Sequence, residues 1–323
     1  MNQGPELRGA EDISAGWLSD VLQRDVARFA ASSEQSSWSN QHPIVVTFAD
    51  GTTHTLRLKV CLGATFGRSE VDYYTRDYVS LIEAPLVRCW NAEYEEGIGY
   101  HLLLDDLSAT YRNRRGVPPT LEYGLAAAEA LGRLHRHCWR SKPAPEQAVL
   151  DRYFEEISPG VAAMERATGL TLRARFQNHE RAMRKRWTQS HGMTLLHGDL
   201  NSMNILTPKS GDQPVYFLDR QPFDWSLQYG VAANDLAYML VLWWPNEARR
   251  LYGEAILRRW HESLGIEDYS WDEALADWSL SVEQCLHVPL EWCSKPDTLD
   301  RMRWLWEIQL DRVKDALGRQ GRA

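Results

Sequence analysis

The sequence predicts an α+β fold in two parts, a small antiparallel sheet followed by a larger helical region, and three observations predict it. Two β-branched runs near the N-terminus, Pro43 to Phe48 (PIVVTF) and Thr52 to Leu62 (TTHTLRLKVCL), flank Asp50-Gly51, a strong hairpin signal. From Leu121 onward the apolar residues recur mostly at helical spacing. Within that region Ile205-Leu206 and Val215 to Leu218 bracket a turn-rich break, Thr207 to Pro214, which reads as a second hairpin.

Composition bounds what such a fold can do. The chain has 323 residues, 44% apolar and 25% charged, enough for two separate cores. A net charge of −8 works against general nucleic-acid binding. Cys61, Cys89, Cys138, Cys285 and Cys293 are scattered, with no CxxC or Cys/His cluster, so structural zinc is not expected and a reducing compartment fits. The opening MNQGPELRGAEDIS lacks the basic and apolar regions of a signal peptide. No run approaches the ~18 apolar residues of a membrane span. The expectation is a cytoplasmic protein without membrane contact.

In chain order, Ser14 is placed to cap a helix over Ala15 to Leu22, with Trp17, Val21 and Leu22 on one side. Asp25 to Ala31 alternates loosely. Ser32 to Asn40 (SSEQSSWSN) is either a phosphate-binding link of hydroxyls and N–H groups or a plain hairpin turn. In the strand ending at Leu62, Leu56, Leu58, Val60 and Leu62 share one face, and Thr55, Arg57, Lys59 and Cys61 the other. A helical stretch opens at Ser69, its expected cap, with Glu70 in the first turn. Val87 to Tyr94 and Tyr100 to Leu104 complete the sheet around the turn Glu95 to Gly99.

The helical part begins with Leu121 to Trp139, whose Leu125, Ala128, Leu131 and Leu134 fall near one face. Ala148 to Arg166 and Leu172 to Ser190 follow. The latter carries Arg173, Arg175, Arg181, Arg184, Lys185 and Arg186, read as a solvated face with an anionic partner as the alternative. Further helices span Asp235 to Trp244, Glu247 to Leu264, Trp271 to His287 and Leu299 to Leu317, punctuated by Pro245, Gly265 and Pro296. Ten of the fourteen tryptophans follow residue 186, which makes this region aromatic-rich. Aromatics at helical spacing usually form core.

The chemistry concentrates between Leu195 and Asp219. His197-Gly198-Asp199 is followed five positions after the Asp by Asn204, and the second hairpin strand ends at Asp219. Kinase-type phosphoryl transfer needs such a set: one carboxylate at the acceptor hydroxyl, an amide oxygen and a second carboxylate for Mg²⁺ on the ATP phosphates. The spacing from Asp199 to Asn204 matches the protein-kinase catalytic loop, with Gly198 replacing its Arg. Such chemistry also uses a strand lysine held by a helix glutamate. Lys59 can supply the lysine, with Glu70, eleven positions on in the first turn, and Glu83, near the helix end beside Pro85, as the candidate acids.

HGDLNSMNIL resembles the Brenner motif of the aminoglycoside phosphotransferase and choline kinase-like family. Asp219-Arg220-Gln221 is similar to the metal-site segment of its ecdysteroid kinase-like branch, and Asp235-Leu236-Ala237 to the D-L-A that follows. The resemblance implies a protein kinase-like two-lobed fold: residues 1–104 as the nucleotide-binding lobe, 105–107 as hinge and 108–323 as the helical lobe, with ATP in the cleft. It implies Asp199 as catalytic base, Asn204 and Asp219 as Mg²⁺ ligands, and Lys59 with Glu70 at the phosphates. By similarity of HLLLDDLS to the family's hinge, the Asp105 to Leu107 backbone would meet the adenine edge. His135 would bond the catalytic-loop backbone, and Asp235 would brace the loop. The C-terminal helices would build the acceptor pocket, with Trp292 and Glu291 or Glu283 as candidates for a largely apolar or ring-shaped alcohol. Arg220 departs from the family's aromatic; beside a metal-binding Asp it would repel the ion or contact a phosphate.

The expected activity is therefore transfer of the γ-phosphoryl of Mg-ATP to a hydroxyl of a small molecule. A regulatory pseudokinase is the alternative, although every acid that the reaction needs is present. A protein kinase is disfavoured because no A-P-E segment lies between Asp219 and the next helix. The acceptor, the nucleotide preference and the oligomeric state are not readable from the residues.

Overall fold

A computed structural model describes residues 7–35, 39–144 and 146–320. The serine-rich link thus falls partly outside the described residues, at positions 36–38, as do positions 1–6 of the N-terminal segment. The chain forms two compact units, one comprising Met1–Arg112 with Leu206–Asp224, the other Asn113–Ile205 with Trp225–Ala323. The first unit therefore runs past the expected boundary at residue 104 and takes in the second hairpin with Asp219.

In the first unit, helix α1 (Ala15–Leu22) starts where the Ser14 hydroxyl accepts from the Trp17 N–H at 3.1 Å. Six strands follow: β1 (Val26–Ala31), β2 (Glu34–Gln35), β3 (Asn40–Phe48), β4 (Thr53–Leu62), β5 (Cys89–Glu95) and β6 (Gly99–Asp105). They form one antiparallel sheet ordered β1-β3-β4-β6-β5, with β2 also on β3. At the expected hairpin Gly51 takes φ +84° and the Thr52 N–H donates to the Asp50 carboxylate at 2.9 Å.

The predicted parity of β4 holds through Cys61. Leu56, Leu58 and Val60 are buried with Trp17, Leu18 and Leu22 of α1 in one core. Cys61 joins Phe66, Val71, Tyr100 and Leu102 in a second core, on whose side Lys59 is buried. Leu62, the last residue of the strand, breaks the pattern: it is 46% exposed. Between β4 and β5 the helix is short, α2 (Ser69–Asp72), and continues as a π-helical turn, Tyr73–Asp77. Arg68 occupies the cap position expected for Ser69, whose hydroxyl bonds elsewhere. Tyr216–Phe217 pairs with Ile205–Pro208, which pairs with Tyr111–Asn113.

In the second unit, α3 (Leu121–His137) and α4 (Gln147–Thr168) are followed by α5 (Arg173–Arg186), α6 (Ala233–Ala237) and α7 (Asn246–Leu264). The series ends with α8 (Trp271–Gln284), α9 (His287–Cys293), α10 (Pro296–Arg301) and α11 (Arg303–Gln320). Helix α6 passes into a second π-helical turn, Tyr238–Trp243. The predicted helix from Trp271 to His287 is thus divided, as is the one from Leu299.

Glycines decide where these helices touch most closely. A Cβ on Gly124 or Gly132 of α3 would collide with Ile256 or Ser263 of α7, and one on Gly160 of α4 with the Leu290 carbonyl of α9. Met193–Leu195 pairs antiparallel with Tyr229–Val231, a short ladder that frames the loop between them. The sequence reading missed it, since three-residue runs carry no period.

Candidate active site

The chemistry-bearing residues fall into two sets, one in each unit. The first centres on Lys59, which its strand parity places beside α2. Its ammonium donates to both Glu70 oxygens, at 2.9 and 2.8 Å, and to Asp219 Oδ1 at 2.7 Å. Glu83, the second choice, lies at a positive φ of 51° and is exposed. Burial works against the Lys59 charge, but the carboxylates of Asp219 and Glu70 outweigh it and hold the ammonium well above its ordinary range. Glu70 is fully buried and also accepts from the Tyr100 hydroxyl. Burial pushes its pKa up against the pull of Lys59, and Asp219 adds to the push.

Asp219 differs from Glu70 in exposure: its side chain is 41% accessible. Its φ is +55°, a conformation that Asp tolerates better than most residues. The next side chain, Arg220, corrects the sequence expectation. It neither stands at a metal nor reaches for a phosphate, because its guanidinium is buried, 3.1 Å from Asp77 Oδ2 and 3.1 Å from the Ser69 carbonyl.

The expected hinge residues lie in the same unit. Asp105 ends β6; its side chain accepts from Trp90 Nε1 at 2.6 Å and bonds His54 Nε2 at 2.8 Å. The Leu107 carbonyl is taken by the N–H groups of Thr110 and Tyr111, at 3.0 and 2.8 Å. Its own N–H makes no backbone hydrogen bond among the described residues.

The second set is the loop from His197 to Asn204. Asp199 Oδ1 accepts from the Tyr238 hydroxyl at 2.7 Å and from Asn201 Nδ2 at 3.0 Å, and Oδ2 accepts from Asn204 Nδ2 at 3.0 Å. Asn204 Nδ2 also donates to the Asp199 carbonyl at 2.9 Å, which turns the amide oxygen the other way. Burial, and then the Asp199 charge, keep Tyr238 protonated and hence a donor. Tyr238 and Asn201 were not singled out from sequence. Tyr238 sits three residues past Asp235, but no residue spacing announces that a π-helical turn begins there.

The loop is held from behind by Asp235, which accepts from the N–H groups of His197 and Gly198 at 2.6 and 2.8 Å. The third contact is His135 Nε2 at 3.1 Å. Trp260 Nε1 donates to His135 Nδ1 at 3.1 Å, so the neutral ring carries its proton on Nε2 and donates it to Asp235. His135 therefore acts on the loop through Asp235 rather than by bonding its backbone directly. Burial alone would raise the pKa of Asp235, but His135, His197 and the Gly198 N–H together hold it below the ordinary value.

The remaining candidates separate clearly. On α5, Arg175 pairs with Glu283, Arg184 with Asp151 and Glu180, and Arg186 with Asp277, so these charges are spent within the unit. Trp260 and Trp306 are core residues, and Trp304 is 63% exposed. Glu291 and Trp292 stand side by side on α9; burial pushes the Glu291 carboxyl up to about 7, against the pull of Lys295.

Asn204 and Asp219 offer one amide oxygen and one carboxylate. Each by itself is an oxygen donor of the kind that Mg²⁺ takes, an ion that protein side chains usually hold through one or two groups, the rest being phosphate and water. Among the described residues no group of three or more His, Cys, Asp or Glu forms a metal cluster. No helix among them is long and apolar enough to cross a membrane.

An antiparallel-sheet unit with a buried Lys–Glu pair, and a helical unit with a braced HGD loop, define a protein kinase-like phosphotransferase. Residues 82–275 match the APH phosphotransferase enzyme family, and the chain belongs to it. The match is to the family as a whole and does not single out the ecdysteroid kinase-like branch. No curated protein sequence matches the chain. Among solved structures it is similar to a candidate fructosamine-3-kinase from Thermobifida fusca YX-ER1, at 16% identity and TM-score 0.53 over 96% of this chain and 100% of that one. It is also similar to a microcompartment-associated aminopropanol kinase, at 11% identity and TM-score 0.53 over 93% and 95%. The aminoglycoside phosphotransferase APH(3'')-Id from Streptomyces rimosus ATCC10970 aligns at 15% identity and TM-score 0.51 over 81% and 92%. At these identities the likeness establishes the fold.

Proposed function

We propose that this phosphotransferase moves the γ-phosphoryl of ATP to a hydroxyl of a small molecule. The observation that carries the reading is the Lys59 ammonium held between buried Glu70 and half-exposed Asp219. Such a lysine is pinned for phosphate oxygens, and the exposed carboxylate is suited to a cation that accompanies them. Asp219 and the Asn204 oxygen would hold Mg²⁺, which when bound neutralises phosphate charge. Asp199 accepts the proton of the acceptor hydroxyl. Its oxygens are fixed by Tyr238, Asn201 and Asn204, so the base is oriented before substrate arrives. The Leu107 N–H and the Asp105 carbonyl are the proposed adenine contacts, the Asp105 N–H being donated to the Arg88 carbonyl at 3.0 Å. Glu291 and Trp292 on α9 are proposed for the acceptor side.

The test is a screen of hydroxylated compounds with γ-labelled ATP, read by mass spectrometry. It begins with amino alcohols and amino sugars, the classes named for the proteins of similar fold, and extends to less polar natural products. With an acceptor in hand, Asp199→Asn should lower kcat by about 10²- to 10⁴-fold while Mg-nucleotide affinity stays near the parent's. Turnover close to the parent's would remove Asp199 as the base.

A further inference from the structure

The segment after Asp219 is docked along the chain that leads into α2. The Ser69 hydroxyl donates to the Gln221 carbonyl at 2.7 Å, the Gly67 N–H to the Pro222 carbonyl at 2.8 Å, and the Asp224 N–H to the Thr65 carbonyl at 3.2 Å. Phe66 stacks on Phe223 with centroids 5.7 Å apart. These contacts fix residues 221–224. Arg220 reaches further, past Ser69 to Asp77 at the end of the π-helical turn, with its guanidinium 5.5 Å from the Tyr73 ring centroid.

Arg220 is 1% exposed and the Asp77 side chain 4%, an ion pair that the core must accommodate at a desolvation cost. An apolar side chain would fill the place without that cost. What the pair provides is a fixed relation between two short segments. One carries Glu70. The other carries Asp219, whose left-handed φ of +55° turns its carboxylate to the accessible side while the following guanidinium goes to the core. Both carboxylates bond Lys59.

We propose that Arg220 is a positioning residue for the metal-holding carboxylate: clamped by Asp77 and the Ser69 carbonyl, it holds Asp219 in the left-handed turn and in register with Glu70 about Lys59. This rests on the phosphotransfer reading above, in which Asp219 meets the cation that accompanies the nucleotide.

The experiment replaces the buried pair by apolar residues, Arg220→Met with Asp77→Leu, so that neither buried charge is left alone, while the exposed Arg76, which also bonds Asp77 at 3.1 Å, keeps Asp72 at 2.9 Å; Arg220→Lys serves as a second variant. Binding of a non-hydrolysable ATP analogue is measured by calorimetry with and without Mg²⁺, and amide exchange over residues 69–77 is followed without ligand. The double variant should fold, keep metal-free analogue affinity near the parent's, exchange faster over 69–77, and need about tenfold more Mg²⁺ for half-saturation. Arg220→Lys, which keeps a cation opposite Asp77, should fall between. An unchanged Mg²⁺ requirement in the double variant overturns the proposal; should that variant not fold, an unchanged requirement in Arg220→Lys does so by itself. A parent that binds no Mg-dependent nucleotide would instead sink the phosphotransfer reading, and this proposal with it.

Discussion

Two fully buried carboxylates, Glu70 in the first unit and Asp235 in the second, sit in contrasting surroundings, and their pKa values move in opposite directions. Burial pushes both up. For Glu70 it prevails, because the one ammonium nearby is shared with a second carboxylate, Asp219. For Asp235 it does not, because two backbone N–H groups and a histidine are committed to it alone. The Lys59 cluster sets one ammonium between two carboxyl groups, with Asp219 half in solvent, an arrangement that under the proposed function a phosphate and its cation would re-partition. The Asp235 cluster is closed: its donors are directed at one acceptor, and Trp260 behind them donates to the other nitrogen of the histidine. A site that exchanges ligands needs the first kind of set, and a loop that must keep one shape needs the second.

The largest effect should come from breaking the shared cluster. Lys59→Met leaves Glu70 buried beside Asp219 with no cation, a change that costs about 3–5 kcal/mol when one partner of a buried pair is removed. Protonating Glu70 relieves it. A carboxyl whose folded pKa lies above its unfolded one binds more protons when folded, so its contribution grows as pH falls. Other buried groups titrate in the same range. Burial lowers the pKa of His101 to about 4 and those of His179 and His287 below the ordinary value, so below about pH 6.5 these three favour the unfolded chain; Glu291, raised to about 7, opposes them, and all four act alike in parent and variant. The gap in melting temperature between Lys59→Met and parent should therefore narrow from pH 8 to pH 5.5. A gap that stays constant or widens would show that Glu70 is not the stranded charge.

Next comes Asp235→Asn, which tests whether the brace depends on an acceptor with two oxygens. Oδ2 serves His197 and His135, and Oδ1 serves Gly198. The amide must turn an NH₂ group toward one of these donors, at about 2 kcal/mol of stability, and unlike Lys59→Met it should show no recovery near pH 5.5. Urea denaturation at the two pH values measures both. A loss that disappears at pH 5.5 would erase the distinction drawn between the two clusters.

How far these two sets could be read from the residues follows from how local each one is. The Lys59–Glu70 pair was legible because strand parity sets the lysine apart and the likeness of Glu70 to Tyr74 (EVDYY) to the family's helix favours Glu70 over Glu83. HGDLNSMN was legible because Asp199 and Asn204 lie in one loop, and the two-part fold because the Asp50-Gly51 hairpin and the α3 periodicity are each contained in one element. Tyr238 on Asp199, Trp260 on His135 and Asp77 on Arg220 join residues 39, 125 and 143 positions apart, and nothing in the order of residues encodes such meetings. Arg220 is the sharpest case. Its neighbour Asp219 suggested an exposed charge at a metal, whereas the left-handed turn at Asp219 sends the guanidinium to the core. The split of the helices near Leu286 and Met302 was likewise hidden, since the apolar pattern runs on through both breaks.

The smallest expected effect is the most selective probe of the closed cluster. Trp260→Phe keeps most of the buried ring and removes only the Nε1–H that donates to His135 Nδ1. The lost hydrogen bond is worth about 1 kcal/mol, and His135 Nδ1 then has no donor directed at it from Trp260. With the proton moved to Nδ1, Nε2 would face the Asp235 carboxylate as a second acceptor, so the Nε2–H form should still prevail, held now by Asp235 alone. Nitrogen chemical shifts of His135 should show that form in parent and variant at pH 7.5, and a loss of the preference only when Trp260→Phe is combined with Asp235→Asn. A tautomer mixture in the single variant would mean that Trp260, rather than the carboxylate, sets the proton. The closed cluster would then depend on a core tryptophan rather than on the acid that holds the loop.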